Sequence, residues 1–206
     1  VKHRVNGNAV KMYNKQGSVL RVETVINQAR DLTVYRPKEG DPDGEKDWRY
    51  LRKGVADVWR RAELSQQANE RYLAALAAAT EPTPLGILSQ PLCRRVRYHG
   101  QPVRALNPLA ADDAALLAVV YRGEFVITGL RNRDVRRLLY PGASDAATRR
   151  RRAAQVTRQL RLLRGHGLLR KVAHTHRYLL TAKGRVVVAA LLAARQADTA
   201  TLAAAA

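Results

Sequence analysis

Between Arg131 and Arg185 the chain carries 16 basic residues and only 2 acidic ones, Asp134 and Asp145. About a quarter of the sequence therefore holds +14 of a total net charge of +20. Most cations of such a segment are expected to face outward and its aliphatic residues inward, because burying an unpaired charge is costly. An even spread of charge would speak only for solubility. This concentration instead marks a place where phosphates are neutralised and counterions released. The excess extends to both halves: 18 basic against 6 acidic residues from Asn107 onward, and 19 against 11 before it. With a sequence pI of about 11.1, the expected partner is a polyanion.

At 206 residues the chain fits two small units better than one large domain. Its longest apolar run, Val186 to Ala194, is half of what a membrane span needs, so no membrane partner is expected. The single cysteine, Cys93, excludes an intramolecular disulfide and a Cys-based zinc site and suits a reducing cytoplasm. It is expected to be a small buried or half-buried side chain, with His99 its one nearby partner for chemistry. No stretch reads as a secretory signal. The first residue is Val1, not Met, which reads as the C-terminal part of something longer.

Residues 9 to 26 alternate as two β runs around Asn14-Lys15-Gln16-Gly17, a hairpin. A third short run, Leu32 to Tyr35, stops at Pro37, and Pro37 to Asp47 is an exposed loop dense in Pro, Gly and charge. From Val55 to Ala79 there is neither Pro nor Gly, which predicts one long helix with Val55, Trp59, Ala62, Leu73 and Leu76 on its buried face, interrupted by Gln66 and Asn69. It ends before Thr80-Glu81-Pro82-Thr83-Pro84. A helical turn near Leu85 to Leu88 and a hairpin turning at His99-Gly100 lead to Asn107-Pro108, the expected domain boundary.

Beyond it, Leu109 to Tyr121 predicts a helix with Asp112 and Asp113 in its first turn and Leu116, Leu117 and Val120 buried. Asn132 caps a second helix to Tyr140, with Val135, Leu138 and Leu139 inward, and Ser144 a third to about Arg164, closed by Gly165 and Gly167. Leu168 to Ala173 and His176 to Leu180 read as strands joined at His174-Thr175, followed by a helix from Thr181 to Arg195. Helix, helix, helix, strand, strand, helix is the winged-helix order.

The string Leu162 to Arg185, LLRGHGLLRKVAHTHRYLLTAKGR, resembles the end of the recognition helix, the wing and the following helix of winged-helix regulators of the MarR-like kind. The resemblance covers about 90 residues, Asn107 to about Asp198, and implies a DNA-binding module whose third helix enters the major groove. That helix is two-faced by its own geometry. At about 100° per residue, Val156, Leu160, Leu163 and Ala153 fall within about 60° of one another, and Arg150, Arg161, Ala154, Arg158 and Arg151 lie between about 120° and 220° from Val156. Arginine pairs bidentately with phosphates and guanine edges, and Gln155 beside this face can read adenine. Four consecutive arginines, Arg149 to Arg152, repel one another unless a polyanion relieves them. Lys171, His174, His176 and Arg177 are the expected backbone contacts of the wing.

His174 and His176, placed by alternation on one face of a strand, have no Cys, Asp or Glu nearby in sequence to complete a tetrahedron, so no metal site is expected. In the N-terminal hairpin, Tyr13-Asn14-Lys15 followed by Leu20-Arg21-Val22-Glu23 is similar, over about 15 residues, to a strand pair in phage and plasmid rolling-circle replication initiators. Those enzymes cleave DNA with a tyrosine and a metal held by a His-hydrophobe-His motif, which this half lacks. The string is also similar to uncharacterised bacterial proteins, some borne by mobile elements. The structural account is a half-exposed hairpin with cross-strand pairs among Arg21, Glu23 and the lysines.

The sequence thus predicts an α+β chain: residues 1–106 a β-hairpin and long-helix region ending a larger N-terminal domain, 107–198 a winged helix-turn-helix, and 199–206 a tail. The expected function is that of a bacterial, cytoplasmic DNA-binding protein, a transcriptional regulator or mobile-element factor, acting on double-stranded DNA as monomer or homodimer. No catalytic residue and no cofactor is assigned. The alternative is the C-terminal part of a mobile-element nuclease or replication initiator with its catalytic site upstream of Val1. RNA binding is disfavoured because no adjacent cluster of stacking aromatics is visible in the sequence.

Overall fold

The computed structural model describes residues 1–15, 17, 19–77, 83–142, 145–198 and 200. Its elements, in order, are β1 (Lys2–Val5), β2 (Asn8–Lys15), β3 (Val19–Val25), a 3-10 turn (Ala29–Asp31), β4 (Thr33–Arg36), β5 (Asp47–Tyr50) and α1 (Val58–Ala77). Then come α2 (Leu85–Ser89), β6 (Val96–Tyr98), β7 (Gln101–Val103), α3 (Ala111–Val120), α4 (Phe125–Thr128), β8 (Leu130–Arg131), α5 (Asn132–Leu139), α6 (Ala146–Gly165), β9 (Leu169–Lys171), β10 (Arg177–Leu180) and α7 (Ala182–Gln196). Helices and small antiparallel sheets together make an α+β chain. It divides into two compact units, Val1–Leu73 with Gly123–Thr128, and Ala74–Arg122 with Gly129–Ala206. The Asn107-Pro108 boundary expected from the sequence falls inside the second unit. The reason is packing: Leu92, Val103 and Leu106 are buried, the Leu106 N–H donates to the Leu92 carbonyl, and Arg104 is bound to Asp113 of α3.

In the first unit the expected hairpin is β2–β3, but β1 adds a third strand, giving the order β1-β2-β3. Register places Lys2 opposite Lys11, Lys11 opposite Glu23 and Tyr13 opposite Arg21. The other sheet face, with Val5 and Val10 buried, is met by α1. Thr24 donates to Asn69 Oδ1 at 2.8 Å, Asn69 donates to the Val22 carbonyl, and the His3 and Tyr72 rings lie 5.6 Å apart. The stripe expected on this helix is therefore corrected. Val55 lies ahead of α1 and Trp59, at 72%, is among its most exposed residues, with Ala62, Leu73 and Leu76 also exposed, while Ala68 and Tyr72 are buried. Asn69 interrupts the apolar pattern because it hydrogen-bonds to a strand. A second small core of Ala29, Leu32, Val34 and Leu51 lies under the β4–β5 hairpin, whose partner strand the sequence did not suggest. Beside it, buried Asp57 accepts from the Arg52 N–H and guanidinium, both at 2.8 Å. Those bonds hold its carboxyl below the usual range against the effect of burial.

In the second unit β6 and β7 pair around His99 and Gly100, both at positive φ, as the sequence predicts. Leu116, Leu117 and Val120 of α3, Val135 of α5, Val156, Leu160, Leu162 and Leu163 of α6, and Val187, Val188 and Leu191 of α7 are buried, while Leu138 and Leu139 are half-buried. Two expected caps differ. Asn132 is the first residue of α5, and its amide donates to the Ala153 carbonyl and Thr157 hydroxyl of α6, at 2.8 and 2.9 Å. Asp134 takes over the capping, accepting from the Arg131 N–H. Helix α6 is capped by Asp145, which accepts from the Thr148 N–H at 2.8 Å. Ser144, like Gln16, the Thr80–Pro82 break and the tail beyond Asp198 apart from Ala200, lies outside the described residues. Strand β8 is two residues that the sequence did not announce. It joins β10 and β9 in a sheet ordered β8-β10-β9.

Candidate nucleic-acid interface

The expected core stripe of α6 is present, with Val156 and Leu163 fully buried and Leu160 nearly so. Arg149, Arg150 and Arg151 are exposed in its first turns, and Arg158 and Arg161 are exposed further along. The helix is not uniformly open on that side. Leu162, placed by its helical angle beside the arginines, is buried, because the β6–β7 hairpin lies against the C-terminal half of α6. A side chain at Gly165 would meet Val103 at 3.2 Å and Tyr98 at 3.4 Å. Arg164 lies 5.1 Å from the Tyr98 ring and 5.9 Å from that of Tyr178. Arg158 and Arg161 consequently border a concavity of about 490 Å³ shared with Arg104, Asp112, Asp113 and Leu162. Asp112 and Asp113 line that end of the face, whereas Arg150 and Arg151 stand exposed nearer the Asp145-capped N-terminus.

Two members of the predicted set are tied down within the helix and its neighbour. The Arg152 guanidinium sits 4.4 Å from the Tyr140 ring and donates to Gln155 Oε1 at 2.8 Å, and both residues are half-buried. Gln155 is thus held by its neighbour and does not project as an isolated reader. Lys171, at the end of β9, and His174 and His176, in the β9–β10 connection, are exposed. The turn is longer than the expected pair of residues, running from Val172 to His176. The Thr175 hydroxyl donates to the Val172 carbonyl and accepts from the Arg177 N–H, and His174 has φ +54°. The two histidines stand in a turn, not on one strand face. Arg177 departs from its expected place: it is 5% exposed, because alternation along β10 gives it the inward side shared with Leu179. It belongs to the β8–β10 junction, opposite Arg131.

A buried polar group behind this region was not anticipated. Asp113 of α3 accepts from Arg104 Nη1 at 2.8 Å, Arg104 Nη2 at 2.5 Å and the Asn107 N–H at 2.8 Å. Burial pushes its carboxyl up, but the Arg104 and Asn107 hydrogen bonds outweigh it and hold the group below its ordinary value. His166, at the end of α6, is buried with Nε2 2.8 Å from the Arg104 carbonyl. Arg104 therefore fixes the hairpin to both α3 and α6. Its one signal in the sequence is a basic residue just ahead of the Asp112-Asp113 pair.

Cys93 is exposed, where the sequence reading expected a buried or half-buried thiol. It follows α2 in an irregular turn, where its N–H donates to the Ser89 carbonyl. Among the described residues no three of His, Cys, Asp and Glu gather to hold a metal ion, and no helix is long and apolar enough to cross a membrane. Comparison with family models, curated proteins and solved structures gave no match.

Proposed function

We propose that the second unit is a winged-helix module that binds double-stranded DNA through the N-terminal half of α6, with the β9–β10 turn as its wing. The observation that carries this reading is that exposed Arg150 and Arg151 lie on the side of α6 turned away from buried Val156, Leu160 and Leu163, with exposed Arg149 beyond the N-terminal end of that stripe. An α-helix fits the major groove, and arginine meets both phosphates and guanine edges bidentately. The order α3, α5, α6, β9, β10, α7, with β8 completing a small sheet, supports the assignment of α6 as the recognition helix. Arg158, Arg161, Lys171, His174 and His176 extend the contact along the backbone. Arg152 and Gln155 position neighbouring side chains, and Arg177 supports the sheet from within.

Titration of a labelled duplex with the full chain at increasing salt tests the proposal. If about six cations meet phosphates, log K falls against log salt with a slope of about −5. A flat response, or binding unchanged by Arg150→Ala with Arg151→Ala, overturns it.

A further inference from the structure

The first unit carries a second cationic surface, on the sheet face turned away from α1. Register puts Lys2 and Arg4 of β1, Lys11, Tyr13 and Lys15 of β2, and Arg21 and Glu23 of β3 on that one face. Five cations thus share it with one carboxylate. Glu23 is engaged by Arg21 at 2.7 Å, and among the described residues no salt bridge involves Lys2, Arg4, Lys11 or Lys15. Tyr13 stands among them with 43% of its surface exposed. Beside it, Lys2, Arg4 and Lys11 ring a shallow concavity of about 330 Å³ floored by Gly7 and Ala9. The Lys2 ammonium is held below the ordinary lysine range by partial desolvation and then by Arg4 and Lys11, so an anion seated there relieves a repulsion the fold has built in.

We propose that this face binds single-stranded nucleic acid, with the phosphates on Lys2, Arg4, Lys11 and Lys15 and one base stacked on the Tyr13 ring. Shape decides against a duplex. The major groove is about 12 Å wide and admits a helix or a two-stranded ribbon. Three strands about 4.8 Å apart, with their side chains, are too broad to enter it face first. A splayed single strand needs no groove: it needs a cationic track and an accessible aromatic face. The role given to Tyr13 is stacking, which uses the ring and not the hydroxyl, so no bond is made or broken.

The test uses the full chain and two probes, a labelled oligothymidylate of about 15 nucleotides and a labelled duplex, followed by anisotropy. Tyr13→Ala is expected to weaken oligothymidylate binding about tenfold, Tyr13→Phe to match the parent, and Arg4→Ala with Lys11→Ala to weaken it further at low salt while leaving duplex binding within about twofold. Arg150→Ala with Arg151→Ala reports separately on the helix: it is expected to lower duplex binding and leave oligothymidylate binding in place. Photo-crosslinking of an iodouracil-bearing oligonucleotide, mapped by peptide mass, is expected to label the segment containing Tyr13. Since Arg4 and Tyr13 are exposed and Lys11 is half-buried on the open sheet face, nearly unchanged thermal melts accompany these variants. Parental oligothymidylate affinity in Tyr13→Ala, or crosslinks confined to α6, overturns the proposal.

Discussion

Two residues show how a local preference is overruled by what surrounds it. Gly184 sits in the first turn of α7, where alanine is ordinarily better by up to about 1 kcal/mol. A methyl group there would press into the Leu168 backbone carbonyl, and the glycine N–H also donates to the Thr181 cap at 2.8 Å. Gly184→Ala is therefore expected to lower the melting temperature, with a cost of about 1–3 kcal/mol, and a calorimetric scan reads it. A gain in stability would mean that α7 sits less closely on the strand than the structure shows. Asp113 gives a prediction in pH. Its carboxyl is held below the unfolded value of about 3.9. The stability it contributes is present above that value and is lost as pH falls through the lower, folded one. Urea unfolding between about pH 3 and pH 7 is expected to show a steep acid limb that Asp113→Asn flattens while lowering stability at neutral pH. An acid limb unchanged by the substitution would place the titrating group elsewhere, with Asp57, similarly held down by Arg52, the next to replace.

Helix α6 combines a core stripe with a contact face, and the two are separable by experiment. Leu160→Ala is expected to cost about 2–5 kcal/mol of stability through the cavity it leaves. Arg150→Ala is expected to leave melting nearly unchanged and to weaken duplex binding. Within the face the effect is graded, because Arg158 and Arg161 border a concavity that also holds Asp112 and Asp113. Replacing Arg150 is thus expected to cost more affinity than replacing Arg161, and equal losses would show that the β6–β7 side of α6 is as open to DNA as its N-terminal turns. The stripe of α6 is legible in the sequence because its apolar residues repeat at helical spacing. That of α1 is not: Asn69 and Tyr72 face the sheet by making polar and aromatic contacts, and Trp59 is left outside, so hydrophobicity alone marks the wrong side.

For the whole molecule, the β6–β7 hairpin and the segment before α3 are part of the second unit and not a linker to it. A fragment starting at Asn107 loses buried Leu92, Val103 and Leu106, worth about 1.5–3 kcal/mol each, and the Arg104 bonds to Asp113. It is expected to melt well below a fragment starting at Ala74, and equal melting temperatures would restore Asn107-Pro108 as the boundary. What the sequence determined by itself is what depends on neighbours along the chain. Alternation and turn residues set the β2–β3 and β6–β7 hairpins, glycine and proline set where elements stop, and helical spacing set the cores of α3 and α6. Tertiary structure decided the pairings between distant segments. β1 on β2, β5 on β4 and β8 on β10 each add a strand too short to stand out by itself, held by a partner that local pattern does not name. It also decided which cations meet solvent. Arg177 is turned inward by its strand, Arg152 is held against Tyr140, and Lys2, Arg4, Lys11 and Lys15 are gathered on one face only when three strands come together, because side-chain burial is a property of what packs against a residue and not of the residue itself.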